Sequence, residues 1–203
     1  MELVVATRNQ DKLKEIKTIL RGLPLEIVSL NNFKGVPEVI EDGKTLEANA
    51  KKKALQTSRF LKKLIIADDS GLEVKVLGGE PGVYSARFSG KGATYSSNNL
   101  KLLKLLGKLA ANKRKACFRC VIAVADKGRI VGVAEGRCSG RIAVRPMGSA
   151  GFGYDPIFIP NGYKKTFAQL GIRKKNKISH RSKALVKARK VIKKHILPKP
   201  CQS

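Results

Sequence analysis

Acid is what this 203-residue chain has least of: 15 Asp plus Glu stand against 42 Lys plus Arg, a formal net charge of +27. There is no Trp, and aromatics make up 5% of residues. So few rings offer little platform for stacking on single-stranded nucleic acid. Four Cys are too few for a disulfide scaffold, which fits a reduced, cytoplasmic protein. No apolar run approaches the ~20 residues that a membrane span requires, so no membrane partner is expected. The opening Met1-Glu2-Leu3-Val4-Val5-Ala6 lacks a basic stretch and a small-residue cleavage motif, and no signal peptide is expected.

What is present is enough for a core: 42% of residues are apolar, which excludes disorder driven by low hydrophobicity. The length suits one domain or two very small ones. Charge is unevenly placed. Residues 1–80 carry 14 basic and 12 acidic groups, whereas residues 81–203 carry 28 basic groups and only Asp126, Glu135 and Asp155 as acids. A polyanion, a phosphorylated small molecule and a solvated lysine-rich surface are all compatible with that excess.

Apolar spacing predicts a strand at Leu3–Ala6 and a helix whose face is Leu13, Ile16, Ile19 and Leu20, capped by Asn9 and ended by Gly22 and Pro24. A second strand is read at Leu25–Leu30 and a helix from Thr45 to about Lys62. Leu64–Ala67 reads as a buried strand ending on Asp68-Asp69-Ser70-Gly71, followed by a separate strand Leu72–Val76 and a long glycine-rich loop from Gly78 to Gly92. A helix is predicted at Leu100–Leu109, and strands Cys117–Val124 and Ile130–Glu135 flank a tight turn at Asp126-Lys127-Gly128. Ser179 caps a last helix in which Ala184, Leu185, Ala188, Val191 and Ile192 form one stripe, with Pro198 and Pro200 in a frayed tail, 198–203. Alternating strands and helices plus one hairpin predict a mixed-sheet α/β protein.

Five segments can carry chemistry, and each has a plain structural reading beside the functional one. Asp68-Asp69-Ser70-Gly71 at a strand end can hold a cation, or simply make a turn. Glu41-Asp42 can complete a metal site or sit solvated in a loop. Thr7-Arg8-Asn9-Gln10-Asp11-Lys12 meets a helix N-terminus, where free amides and donors suit phosphate, though helix capping by Asn9 needs the same residues. Gly148-Ser149-Ala150-Gly151-Phe152-Gly153-Tyr154-Asp155-Pro156 lets backbone approach a ligand and offers rings to a base, or buries those rings in a structural turn. Lys175-Asn176-Lys177-Ile178-Ser179-His180-Arg181 precedes and enters the last helix; His180 and Arg181 in its first turn oppose the dipole, which a ligand's negative charge would offset, or the segment is a basic surface turn. Cys117-Phe118-Arg119-Cys120 lies in a strand, where residues three apart face opposite sides, and carries no zinc or redox expectation. His195, in a lysine-rich last turn, suits the helix dipole and needs no ligand.

Taken together, these segments resemble the inosine triphosphate pyrophosphatase family, in its bacterial dITP/XTP branch. The resemblance covers residues 3 to about 188. It rests on Thr7, Asn9 and Lys12; on Glu41, Gly43, Thr45, Asn49 and Lys53; on Ala67 to Leu72; on Leu77 to Arg87; on Gly151 to Pro156; and on Lys175-Asn176 leading to Ile178-Ser179-His180-Arg181. It implies an elongated mixed α/β fold with a cleft between two lobes, here a single bilobed domain over residues 1–197, usually paired as a homodimer. It implies a Mg²⁺-dependent hydrolase that cuts ITP, dITP or XTP into the monophosphate and pyrophosphate, cleansing the nucleotide pool. Carried over by position, Thr7, Arg8, Asn9, Gln10, Asp11, Lys12 and Lys53 hold phosphates. Glu41 and Asp69 bind Mg²⁺, and Asp69 activates water. Ser70 touches substrate, Phe152, Gly153, Tyr154 and Asp155 form the base-side loop, and Lys175, His180 and Arg181 reach the base. Four positions depart from the family pattern: Ala48, Gln169 and Lys174 stand where acids are common, and Met147 where Arg is frequent. None has an assigned chemical role, so activity is expected to survive. A rival reading, a nucleic-acid-binding protein using the 14 basic residues of segment 164–199, finds no recognised binding motif and is reduced to weak polyanion contact.

Overall fold

The computed structural model describes residues 1–197, so the tail expected at 198–203 lies outside the described residues. The strands are β1 (Glu2–Val5), β2 (Glu26–Ser29), β3 (Leu64–Val74), β4 (Lys115–Asp126), β5 (Arg129–Ile142) and β6 (Phe158–Pro160). The helices are α1 (Gln10–Leu20), α2 (Leu46–Leu61), α3 (Tyr95–Leu106), α4 (Phe167–Ile178) and α5 (His180–Ile196). One six-stranded sheet runs β2-β1-β3-β4-β5-β6. β1 pairs in parallel with β2 and β3, and β5 pairs antiparallel with β6, so the sheet is mixed as expected. No helix among the described residues is long and apolar enough to cross a membrane.

Two compact units emerge. The first comprises Met1–Asp69, Val121–Glu135 and Ala184 onward; the second comprises Ser70–Cys120 and Gly136–Lys183. In the first, β1, the opening of β3 and the end of β4 bury nearly continuous apolar runs, as strands covered on both faces do. Of the stripe expected on α5, Ala184, Leu185, Ala188 and Ile192 are fully buried and Val191 is half-buried. In the second, a cluster built on Leu72, Leu102, Phe118, Phe158 and Phe167 forms the core.

Local signals set several boundaries. Asn9 caps α1 by accepting the amides of Asp11 and Lys12 at 3.0 and 3.1 Å, and Thr45 caps α2 through the amide of Ala48. Lys127 and Gly128, both at positive φ, make the two-residue turn between β4 and β5, whose twist suits a hairpin. Ser179 closes α4 and accepts the amide of Ser182 to begin α5.

Three expectations need correction. Asp68-Asp69-Ser70-Gly71 is not a strand end: β3 runs unbroken from Leu64 to Val74. The chain continues because Lys12 answers Asp68, Asn49 answers Asp69, and Ser85 Oγ accepts the amide of Leu72 at 2.9 Å. β1 stops opposite Ile66, so the acidic pair lies just past the carboxyl end of the neighbouring strand. The stretch from Gly78 to Gly92 is not all loop, since Gly82–Arg87 forms 3₁₀ turns and Glu73 bridges to Pro81. Finally, Lys175 does not merely precede the last helix but belongs to α4, a helix absent from the sequence reading. A capping box between Thr166 and Gln169 starts α4, and Gly171 (φ 77°) kinks it.

Arg114, fully buried before β4, donates to the carbonyls of Ile142 (3.0 Å), Ala143 (2.8 Å), Gly107 (3.2 Å) and Leu106 (3.5 Å). It thereby takes up carbonyls at the end of α3, which the helix itself leaves unanswered. Cys117 and Cys120 lie on β4 as free thiols. His195 Nε2 donates to Asp126 Oδ2 at 3.0 Å, a contact between α5 and the end of β4.

Candidate active site

In the first unit, the turn from β1 to α1 is fixed by its own side chains. Thr7 Oγ1 accepts the amide of Asn9 at 3.2 Å, and Asn9 then engages the amides of Asp11 and Lys12. Capping therefore uses the amides of Asp11 and Lys12, two of the groups a helix N-terminus can otherwise offer an anion. Lys12 Nζ lies 3.1 Å from Asp68 Oδ2, whose side chain is buried. Arg8 donates to the carbonyl of Val36 at 3.3 Å, tying the turn to the loop that carries Glu41. Gln10 and Asp11 occupy the first turn of α1.

That loop is pinned by Asn49, a residue the motif contains but to which no role was given. Asn49 Oδ1 accepts the amide of Gly43 at 2.7 Å, and its Nδ2 donates to Asp69 Oδ2 at 3.0 Å. The signal was in the sequence: Asn is a poor helix former, yet it stands inside a helix and is buried there. Glu41 pairs with Lys53, one turn further along α2, whereas Asp42 pairs with Lys52 at the exposed surface. Asp69 itself is 6% exposed, and burial together with the negative charge of Glu41 pushes its carboxyl up to about 6, against the pull of Lys12, Asn49 and Lys53.

Gly43 has no room for a side chain, because a Cβ would stand 2.5 Å from Asn49 Oδ1. Gly43→Ala is thus expected to displace Asn49 and with it Asp69. We expect a fall in kcat of about 10–100-fold with a near-native circular dichroism spectrum.

In the second unit, Ser70 follows on β3, and its Oγ accepts from Arg181 at 3.2 Å. Asp155 organises the glycine-rich loop: its Oδ2 accepts the amide of Phe152 at 2.9 Å and takes Lys175 Nζ at 2.6 Å, a pair with both side chains buried. Lys175 Nζ also lies 4.3 Å from the centre of the Phe152 ring, and the Arg181 guanidinium 5.5 Å from it. Tyr95 of α3 packs on the same ring at 5.9 Å, and Asn99 donates to the carbonyl of Gly153 at 3.0 Å. The buried Tyr154 donates its hydroxyl to the carbonyl of Ser85 at 2.9 Å, and burial raises its pKa. His180 stacks in parallel on Phe118 at 4.5 Å. Tyr154, Asp155 and Lys175 thus shape the loop, while Phe152, half-buried, is its aromatic surface. Tyr95, Asn99 and Phe118 carry no sequence-based expectation for the site; they are found through contacts with residues distant in the chain.

Gly151, at φ 81°, would place a Cβ 2.1 Å from Asp155 Oδ2. Gly151→Ala is expected to loosen the loop, raising KM about tenfold while kcat changes less, read from steady-state kinetics.

Of the departures from the family pattern, Gln169 completes the capping box of α4, as Glu would. The Met147 carbonyl accepts from Thr166, and Lys174 lies over the Tyr163 ring. Nothing in the structure explains Ala48.

The mixed sheet, with buried carboxylates on β3 facing lysines of α1 and α2 and with an aromatic loop locked by an ion pair, places the chain among α/β proteins of a recognisable kind. The model of the Ham1 family matches residues 3–191. The chain is 50% identical over 192 residues to a dITP/XTP pyrophosphatase of Desulforamulus reducens, covering 95% of this chain and 96% of that one. A dITP/XTP pyrophosphatase of Desulfotalea psychrophila is 52% identical over 184 residues, covering 90% and 81%. A solved HAM1 protein from Coxiella burnetii superposes with a TM-score of 0.86 at 36% identity, covering 96% of this chain and 99% of that one. The Ham1 protein of Staphylococcus aureus gives 0.84 at 38% identity, covering 96% and 100%. The chain belongs to the Ham1 family.

Proposed function

We propose that the protein hydrolyses non-canonical purine nucleoside triphosphates (ITP, dITP, XTP) to the monophosphate and pyrophosphate, with Mg²⁺ as cofactor. The observation that carries this reading is the buried Asp69, set among Glu41, Lys12 and Lys53 on the strand that continues into Ser70. The names of its close relatives support the substrate class.

Glu41 and Asp69 fit a hard divalent cation: both are carboxylates, and the charge of Glu41 already acts on Asp69. No three His, Cys, Asp or Glu side chains converge on a metal position among the described residues, and Mg²⁺ commonly completes its shell with water and substrate phosphates. When bound, the cation neutralises phosphate charge and acidifies water.

Asp69 orients the attacking water and takes its proton as the new phosphorus–oxygen bond forms at the α-phosphate. The bond from that phosphorus to the bridging oxygen breaks, and pyrophosphate leaves with its charge met by Lys12 and Lys53. Thr7 and Asn9 hold the turn that presents Lys12. Ser70 and Arg181 meet the nucleoside, and Phe152 stacks on the base. His180 and Arg181 donate to a 6-keto oxygen, so a 6-amino group leaves these donors unanswered and is disfavoured. Lys175 acts through Asp155 on the Phe152 loop. The family resemblance supports a homodimer working in the cytoplasm.

The test is pyrophosphate release from ITP, XTP and ATP with and without Mg²⁺. Release from ITP and XTP well above ATP, lost in chelator, supports the reading. Equal or absent release from all three overturns it.

A further inference from the structure

Seven cations converge at one end of the first unit, and the hydrolytic chemistry uses none of them. Arg59 and Lys62 close α2, Lys127 and Arg129 flank the β4–β5 turn, and Lys190, Lys193 and Lys194 lie on the last turns of α5; all are exposed. Two contacts join these elements. The amide of Gly128 donates to Ser58 Oγ at 3.0 Å, and His195 meets Asp126 at 3.0 Å. Gly128 also lies against the Arg59 side chain. Asp126, an acid within this region, is thus engaged by His195. Along α2, Arg59 is roughly 15 Å from Asn49, so the cluster is separate from the Asp69 group.

Helix C-termini favour cations, but Lys127 and Arg129 stand at no helix end, and they extend the charge across three elements. The geometry points to a docking surface for the phosphate backbone of nucleic acid, engaged without regard to sequence. Five of the seven cations are lysines, point charges that neutralise phosphates without the planar fork that reads guanine. A lipid surface fits poorly, because the apolar stripe of α5 is buried in the core and leaves no face to insert. Such a surface would hold an enzyme acting on nucleic-acid precursors beside the polymer. It rests on residues apart from the proposed hydrolysis, so the two readings fail separately.

The experiment compares the full chain, the variant Lys127→Gln/Lys190→Gln/Lys193→Gln/Lys194→Gln, and a control, Lys104→Gln/Lys108→Gln/Lys113→Gln, changed at exposed lysines of the second unit. Binding to a fluorescent 20-base-pair duplex is titrated across salt, alongside ITP hydrolysis. The full chain is expected to bind with micromolar affinity and a log–log salt slope of about −4 to −6. The cluster variant should bind at least tenfold more weakly at 0.1 M salt, with a slope shallower by about 3 to 4. The control should lose less than threefold, and hydrolysis should be unchanged in all three. Equal loss in the control would make the effect one of net charge and overturn the proposal. So would unaltered binding by the cluster variant, a cluster variant impaired only in kcat/KM, or preference for phosphatidylserine vesicles over duplex.

Discussion

Asp69→Asn is expected to abolish most hydrolysis and, in metal-free buffer, to make the protein more stable. Loss of a general base costs about 10²–10⁴-fold in turnover, and loss of a cation ligand adds to it. Stability moves the other way. The folded carboxyl titrates at about 6 against an ordinary 3.8, so its ionised form costs the folded state free energy. That cost is absent below pH 3.8, grows between 3.8 and 6, and is complete above 6. At neutral pH the gain from Asn should be about 1–3 kcal/mol, raising Tm by about 2–10 °C; at pH 4 little difference should remain. Asn keeps an oxygen to accept from Asn49 and loses only the charge. Mg²⁺ should raise the Tm of the unaltered protein more than that of the variant. Near-normal pyrophosphate release by Asp69→Asn would remove Asp69 from the mechanism.

Arg114→Ala should produce the largest loss of stability of any single substitution considered. The side chain is 0% exposed and donates to four carbonyls in two separate elements. Truncation opens a void and removes the Arg114 donors from these carbonyls, of which that of Leu106 keeps the amide of Leu109 at 3.0 Å; each group left unsatisfied costs about 1–3 kcal/mol before relaxation or water entry. The expected net loss is about 3–5 kcal/mol, lowering Tm by about 6–20 °C. Arg114→Lys should recover little, since one ammonium cannot reach positions that the planar fork spans. Denaturant titration measures both, and a loss below about 1 kcal/mol for Ala would show that water replaces the donors.

Short-range chemistry made parts of this molecule legible. The caps at Asn9 and Thr45, the turn at Lys127-Gly128 and the buried stripe of α5 all follow from residues within a few positions of one another. The misreadings came where distant residues decide. Asp68-Asp69-Ser70-Gly71 has the composition of a turn, yet stays extended because Lys12 and Asn49 answer its carboxylates from 56 and 20 positions away and Ser85, 13 positions on, takes the amide of Leu72 just beyond it. α4 was hidden by Gly171 and a run of Lys and Arg that dilutes its periodicity, although the capping box at Thr166 and Gln169 announced it. At the candidate site, residue types pointed to Glu41, Asp69 and the glycine-rich loop. Roles did not follow so directly: Lys175 and Asp155 are buried partners of each other, a pairing across 20 positions that composition cannot disclose.

Asn49 holds the amide of Gly43 with one atom and the carboxylate of Asp69 with another. Positions 43, 49 and 69 should therefore be inherited as one character. A substitution at any of them alters the cost of substitution at the other two, and relatives that vary at one should vary at its companions. Asp at position 49 would be the least tolerated exchange, since it trades the donor that Asp69 needs for a second anion beside it.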